Sequence, residues 1–365
     1  MPNHLFQNLL FFKFSPCKIS IGIIETCNSR IARIGCLIIL LAFAGVDIKA
    51  QTSKTWVTYQ GGAGPGQGKH IVFISGDEEY RSEESFPMMA KILSQLHGFT
   101  CTVLFAIDPE TGTIDPNKQT NIPGMEQLQT ADLLFMCMRF RELPNDQMKY
   151  FEEYLQSGKP IVALRTSTHA FLYSRDKESK YARYSYNSKE KNWEGGFGKK
   201  VFGETWVSHH GAHGSEGTRA LINGLSASHP ILKGVKDVWG PTDVYTVNSL
   251  DANTTILLYG QSSLGMTPDA PLSYAKSIMP VAWIKSYQNE MGKTAKIFVT
   301  TMGASMDLVS EDLRRMLINA SYWALNMEAQ IAEKSNVQTV GVYAPIMFGF
   351  DKFKRGVKPS DFNLK

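Results

Sequence analysis

Residues 70–75 read HIVFIS. They are followed by Gly76-Asp77-Glu78-Glu79-Tyr80-Arg81, an apolar-periodic segment over residues 85–96, Gly98, and FTCTVLFAI at residues 99–107. An apolar run, a polar turn, a helical periodicity stopped by glycine and a second apolar run form the pattern of a βαβ unit. The alternation continues outward through ADLLFMCM (131–138), a predicted helix over residues 145–156 stopped by Gly158, and PIVALR (160–165). Four strands without polar alternation are buried on both faces, which implies a parallel sheet with helices on both sides. Residues 172–240 break the pattern with a polar, aromatic, Gly-rich insertion, and a long irregular stretch of this kind commonly serves a site. Further strands follow in VYTVNSL, TTILLYG, PVAWIKS and AKIFVTTMG, then an amphipathic helix over residues 311–325.

The chain has 365 residues, 43% hydrophobic and 20% charged, enough for one main globular domain with a large core. Its formal charge is +4, of which the first fifty residues hold +3 through five basic and two acidic side chains. The body is therefore nearly neutral and lacks the clustered cations that nucleic acid or anionic lipid requires, so neither is expected as a partner. Residues 34–46 (IGCLIILLAFAGV) follow Arg30 and Arg33 without a charge. As a helix they would rise about 20 Å, short of a roughly 30 Å hydrocarbon core, so they read as the apolar part of a signal peptide cleaved near Ala50. The expected organisation is a leader over residues 1–50, a flexible lead-in over 51–68, the main domain over 69–327 and a surface tail over 328–365. The mature protein is expected to be exported, periplasmic or secreted, with no stable membrane insertion. The glycine-rich GGAGPGQG at 61–68 precedes its strand and lacks Gly-Lys-Ser/Thr, which excludes a phosphate loop. Cys101 and Cys137 lie inside strand runs and read as buried thiols rather than a disulfide.

Ligands of open α/β sheets bind beyond the carboxyl ends of the strands, so the residues there are the candidates. Asp77 and Glu78 follow the first strand, Arg139 the third, and Arg165-Thr166-Ser167-Thr168-His169 the fourth. Asp77 and Glu78 serve either as acid/base groups or as acids at a helix start, the reading that fits Glu83 and Glu84. Arg139 and Arg165 suit a pocket that holds oxygens, or a structural ion pair. Arg165 in particular is expected to face Asp77 or Glu78 across the cleft. The insertion contributes Gly203-Glu204-Thr205-Trp206-Val207-Ser208-His209-His210-Gly211-Ala212-His213. His210 and His169 are candidate proton carriers, with His209 as a substrate contact. The alternative is a zinc or other divalent-metal site made by His209, His210 and His213; otherwise no cofactor is expected. Tyr80, Thr166, Trp206 and Trp239 are further candidates for substrate contact, with Tyr245 beside them as an aromatic face.

The phrases GKHIVFISGDEEYRSEES, MRFRELP, IVALRTSTHAF, GETWVSHHGAHG, WGPTDVY, MPVAW and TTMGAS, in this order, resemble the ThuA-like (trehalose utilisation) family over roughly residues 69–327. That resemblance implies a flavodoxin-like fold similar to the class I glutamine amidotransferases: a mostly parallel α/β sheet, helices on both faces, and a long insertion. It also implies carbohydrate metabolism, with a disaccharide or keto-glycoside as a small-molecule substrate; Asp77 or Glu78 at the strand end and His169 or His210 are then the residues expected to exchange protons with it. A non-catalytic sugar-binding module and a metal-dependent hydrolase are the alternatives. The amidotransferase nucleophile would fall near Thr166 or Ser167, where no cysteine stands, so glutaminase activity is not expected.

Overall fold

The computed structural model describes residues 54–364, within a unit spanning Ser53–Lys365. The expected leader lies outside the described residues. The strands are β1 (Trp56–Tyr59), β2 (His70–Gly76), β3 (Thr100–Phe105), β4 (Leu133–Met138), β5 (Ile161–Leu164), β6 (Gly217–Ile222), β7 (Trp239–Gly240), β8 (Thr254–Ser263), β9 (Met279–Gln288) and β10 (Thr294–Thr300). Among the described residues three α-helices accompany them: α1 (Ser82–His97), α2 (Asn145–Ser157) and α3 (Glu311–Ala324). All ten strands form one sheet in the order β1-β3-β2-β4-β5-β10-β9-β8-β6-β7.

Strands β3, β2, β4, β5 and β10 pair in parallel, which fits their uninterrupted apolar runs. The other pairings are antiparallel, and this half is the correction to a mostly parallel sheet: β9 turns back on β10, and β8, β6 and β7 continue the meander. Residues 279–288 alternate sides over most of their length, as expected of an antiparallel strand. The sheet is covered on both faces. Phe86 and Leu93 of α1 join Leu313 and Met316 of α3 in one apolar layer, while Met148 and Phe151 of α2 pack with Tyr184, Trp193 and Phe197 of the insertion in the other.

The two ends of the main domain differ from their expected simplicity. In the lead-in, β1 pairs with β3, and Gly62 and Gly66 donate backbone N–H bonds to the carbonyls of Ser94 and His97 at the end of α1. A side chain at Gly61 would place Cβ only 2.1 Å from the Gly98 oxygen, so this close backbone approach requires glycine. At the other end, Ile331, Val337, Phe348 and Phe353 are buried, and Ile114 N donates to Val357 O. The expected surface tail is thus a strap fastened to the domain. Cys101 and Cys137 are buried free thiols. No helix among the described residues is long and apolar enough to cross a membrane.

Candidate active site

Backbone geometry marks the carboxyl ends of the parallel strands before any side chain is considered. Arg81, Phe140 and Arg165, at or just beyond the turns that follow β2, β4 and β5, have φ of 59°, 50° and 45°. A bulky residue in the left-handed region costs on the order of 1–3 kcal/mol, and such strain persists where the surrounding structure enforces it.

Asp77 is fully buried, and its carboxylate accepts the N–H groups of Glu79 (2.7 Å) and Tyr80 (2.6 Å) and the hydroxyl of Thr166. It thereby ties the β2 turn to the β5 turn. Glu78 is clamped by Arg139 and, at 2.5 Å, by Arg141. Burial raises the Glu78 carboxyl above the usual range, against the pull of these guanidinium groups. Neither acid presents free oxygens to a substrate, in contrast to the acid/base role expected from sequence.

Arg165 turns away from Asp77 and Glu78. Its guanidinium lies between the rings of Tyr80 (4.4 Å) and Tyr245 (3.9 Å) and donates to the carbonyls of Asp243 and Thr301, each at 2.8 Å. It also donates to the Tyr80 hydroxyl at 3.1 Å and pairs with the Asp243 carboxylate at 2.9 Å, and both charged side chains are fully buried. The expected pairing fails because the chain just after the insertion returns an aspartate to the end of β5 over a sequence separation that local pattern does not reveal.

Asp243 organises the imidazoles. His209 Nδ1 is 2.7 Å from its Oδ2, and His213 Nδ1 is 3.1 Å from its Oδ1. Although burial pushes the other way, Arg165 first and then His209 and His213 bring the Asp243 carboxyl down to about 2, so it is ionised at neutral pH. The imidazole nitrogens facing it therefore carry protons. The other His213 nitrogen, Nε2, lies 3.0 Å from Glu79 Oε1. Burial, followed by the charge of Asp77, raises the Glu79 carboxyl above its ordinary range. The result is a chain Glu79–His213–Asp243–His209 in which one carboxyl holds its proton longer than usual and the other releases it early.

A small hollow of about 30 Å³, lined by Glu79, Tyr80, Arg139, Phe140, His169, Trp206, His209 and Tyr245, sits at this chain. Trp206 leans on His169 and His209, with centroids 5.5 and 5.8 Å apart. His169 is buried among these groups, and desolvation together with Arg139 and Arg165 holds its pKa well below the usual imidazole value. It stays neutral and cannot serve as an acid near pH 7.

Asp77, Glu78, Arg165, Thr166 and His213 do not line this hollow themselves, and neither do His210 and Trp239, which have their partners elsewhere. His210 Nε2 binds the Ser277 carbonyl at 2.8 Å, and Trp239 lies in β7 beside Arg219 at the far edge of the sheet. The alternative metal trio of His209, His210 and His213 is therefore not assembled. Instead, donor atoms of His209, His213 and Asp243 lie within 4.8 Å of one another. Sequence reasoning did not single out Glu79, Asp243 or Arg141. Glu79 sits in the polar strand-end run, and Asp243 in the phrase WGPTDVY, so motif context held the only local signal for either.

The family model described as ThuA, trehalose utilisation, matches residues 72–324. No curated protein matches the chain. Among solved structures, the chain is similar to a ThuA-like protein from Bacteroides uniformis with 12% identity and a TM-score of 0.43, covering 73% of this chain and 95% of that one. It is also similar to a ThuA-like protein from Parabacteroides merdae with 14% identity and a TM-score of 0.42, covering 81% and 99%.

Proposed function

Because the chain belongs to the ThuA family, described as trehalose utilisation, we propose that it is an exported protein of carbohydrate metabolism that transforms a disaccharide or keto-glycoside by general acid/base chemistry. The observation that carries this reading is the pair of carboxyls driven apart in acidity, Glu79 upward and Asp243 downward, on either side of His213. Such divergence is how acid and base roles are divided at one pH. His209, its Nδ1 proton held by Asp243, offers Nε2 as the base for a sugar hydroxyl. Glu79, which lines the hollow beside His209 and is protonated to higher pH than an ordinary carboxylate, supplies the acid directly, while His213 holds its carboxyl in place. Arg139, partly exposed beside Glu78, orients a hydroxyl or keto oxygen. The flavodoxin-like reading of the fold is supported by the parallel strands, whose chain order across the sheet is 2-1-3-4-5.

The test is to incubate the chain from Gln51 onward with a panel of disaccharides and 3-keto-glycosides. Turnover of at least one, reduced about 10²-fold or more by His209→Gln, is expected. Binding without turnover would instead favour a sugar-binding module.

The convergence of His209, His213 and Asp243 favours a second reading, a hydrolase with a zinc or other divalent ion held by two imidazoles and one carboxylate. Against it, Arg165 already balances the Asp243 charge. Stoichiometric metal in protein purified without chelator, lost in His213→Ala, would establish it.

A further inference from the structure

Rings that line the hollow, together with His213, Phe348 and Phe350 beside it, form a closed circuit. On one side Trp206 meets His209 (5.8 Å), His209 meets His213 (4.7 Å) and His213 meets Phe348 (5.6 Å). On the other side Trp206 meets His169 (5.5 Å) and His169 meets Phe140 (5.2 Å). The Arg139 guanidinium then lies 4.5 Å from Phe140 and 5.0 Å from Phe350. The two arms join through the single residue Gly349, whose N–H donates to the Glu79 carbonyl at 2.8 Å. Phe348 is buried against Tyr80, whereas Phe350 is about half exposed. The closing residues come from the C-terminal strap, beyond residue 324 where the family match ends.

We propose that the strap residues Phe348 and Phe350 complete the substrate site, and that Phe350 selects an uncharged pyranose ring by stacking on its apolar face beside Arg139. This deepens the sugar-transforming reading above and rests on it. The charges of the site support an uncharged ligand: the three guanidinium groups of Arg139, Arg141 and Arg165 stand against the three carboxylates of Asp77, Glu78 and Asp243, so the cluster carries no excess positive charge to hold a phosphate or carboxylate. Flat faces flanking hydrogen-bonding groups suit a ring that is apolar on its C–H face and polar at its rim. Phe348 acts as a positioning residue, backing Tyr80 and His213.

The test is calorimetric titration of the full mature chain, Phe350→Ala and Phe350→Tyr with trehalose, 3-keto-trehalose and the open-chain polyol sorbitol. The expected result is a roughly tenfold loss of affinity for the cyclic ligands in Phe350→Ala, restored by Phe350→Tyr, with sorbitol unaffected. If the unaltered protein binds neither glycoside, the sugar reading falls and this inference with it. If it binds one and Phe350→Ala binds it equally well, or Phe350→Tyr fails to restore the loss, or sorbitol weakens in parallel, the strap assignment alone is overturned.

Discussion

The Arg165 guanidinium and the Asp243 carboxylate meet at 2.9 Å with both side chains excluded from solvent, joining the end of β5 to the segment that precedes Tyr245. This pair replaces the contact that strand-end position alone predicts for Arg165, and it fixes the carboxylate to which His209 and His213 attach.

Removing one partner of such a pair leaves a buried charge uncompensated. Asp243→Asn is expected to lower stability by about 3–5 kcal/mol in denaturant unfolding at pH 7. Asp243 is more acidic folded than unfolded, so its ionisation contributes stability that is present above about pH 4 and lost as pH falls toward 2. The shift from its ordinary 3.8 to about 2 corresponds to about 2 kcal/mol, and that acid-side dependence should be missing from Asp243→Asn.

Glu79 works in the proposed mechanism only while protonated. Its carboxyl is raised, so activity should be present on the acid side and decline as pH rises through its folded value. Glu79→Gln should remove that alkaline decline and leave about 1% or less of the turnover. An unchanged pH–rate profile would exclude Glu79 as the acid.

Asp77 and His169 should respond differently from the acid/base chain. Asp77→Asn disturbs a carboxylate that accepts three bonds and should cost about 1–3 kcal/mol in thermal or denaturant unfolding. His169 is held neutral at pH 7, so His169→Gln should leave the shape of the pH–rate profile from neutral pH upward unchanged, whatever it does to the rate.

At the start of α1, burial pushes the Glu83 carboxyl up to about 7, and its nearest charged partner, Arg81, is 3.5 Å away. A raised carboxyl destabilises the fold when ionised. Stability should therefore fall as pH rises from about 4.5 through 7, by about 3 kcal/mol, and Glu83→Gln should flatten this window in urea titrations.

The sequence alone determined the parallel half of the sheet, because residues 71–74, 133–138 and 161–164 are apolar without alternation and only two-sided burial accommodates that. It also determined that Asp77, Glu78, Arg139 and Arg165 stand at the carboxyl ends, since that follows from where each run stops. Tertiary structure decided which of these charges touch one another. Arg165 meets Asp243 across 78 positions and Glu78 meets Arg141 across 63, distances over which local periodicity carries no information. It likewise decided that His209 and His213 share a carboxylate while His210, one residue from His209, turns to Ser277. In an irregular loop, side-chain direction has no fixed period, so only packing against residues 243–245 and the β2 turn could sort these imidazoles. The strap's place beside Glu79 rests on the same cause: apolar residues at 348 and 353 specify burial, but not the surface that buries them.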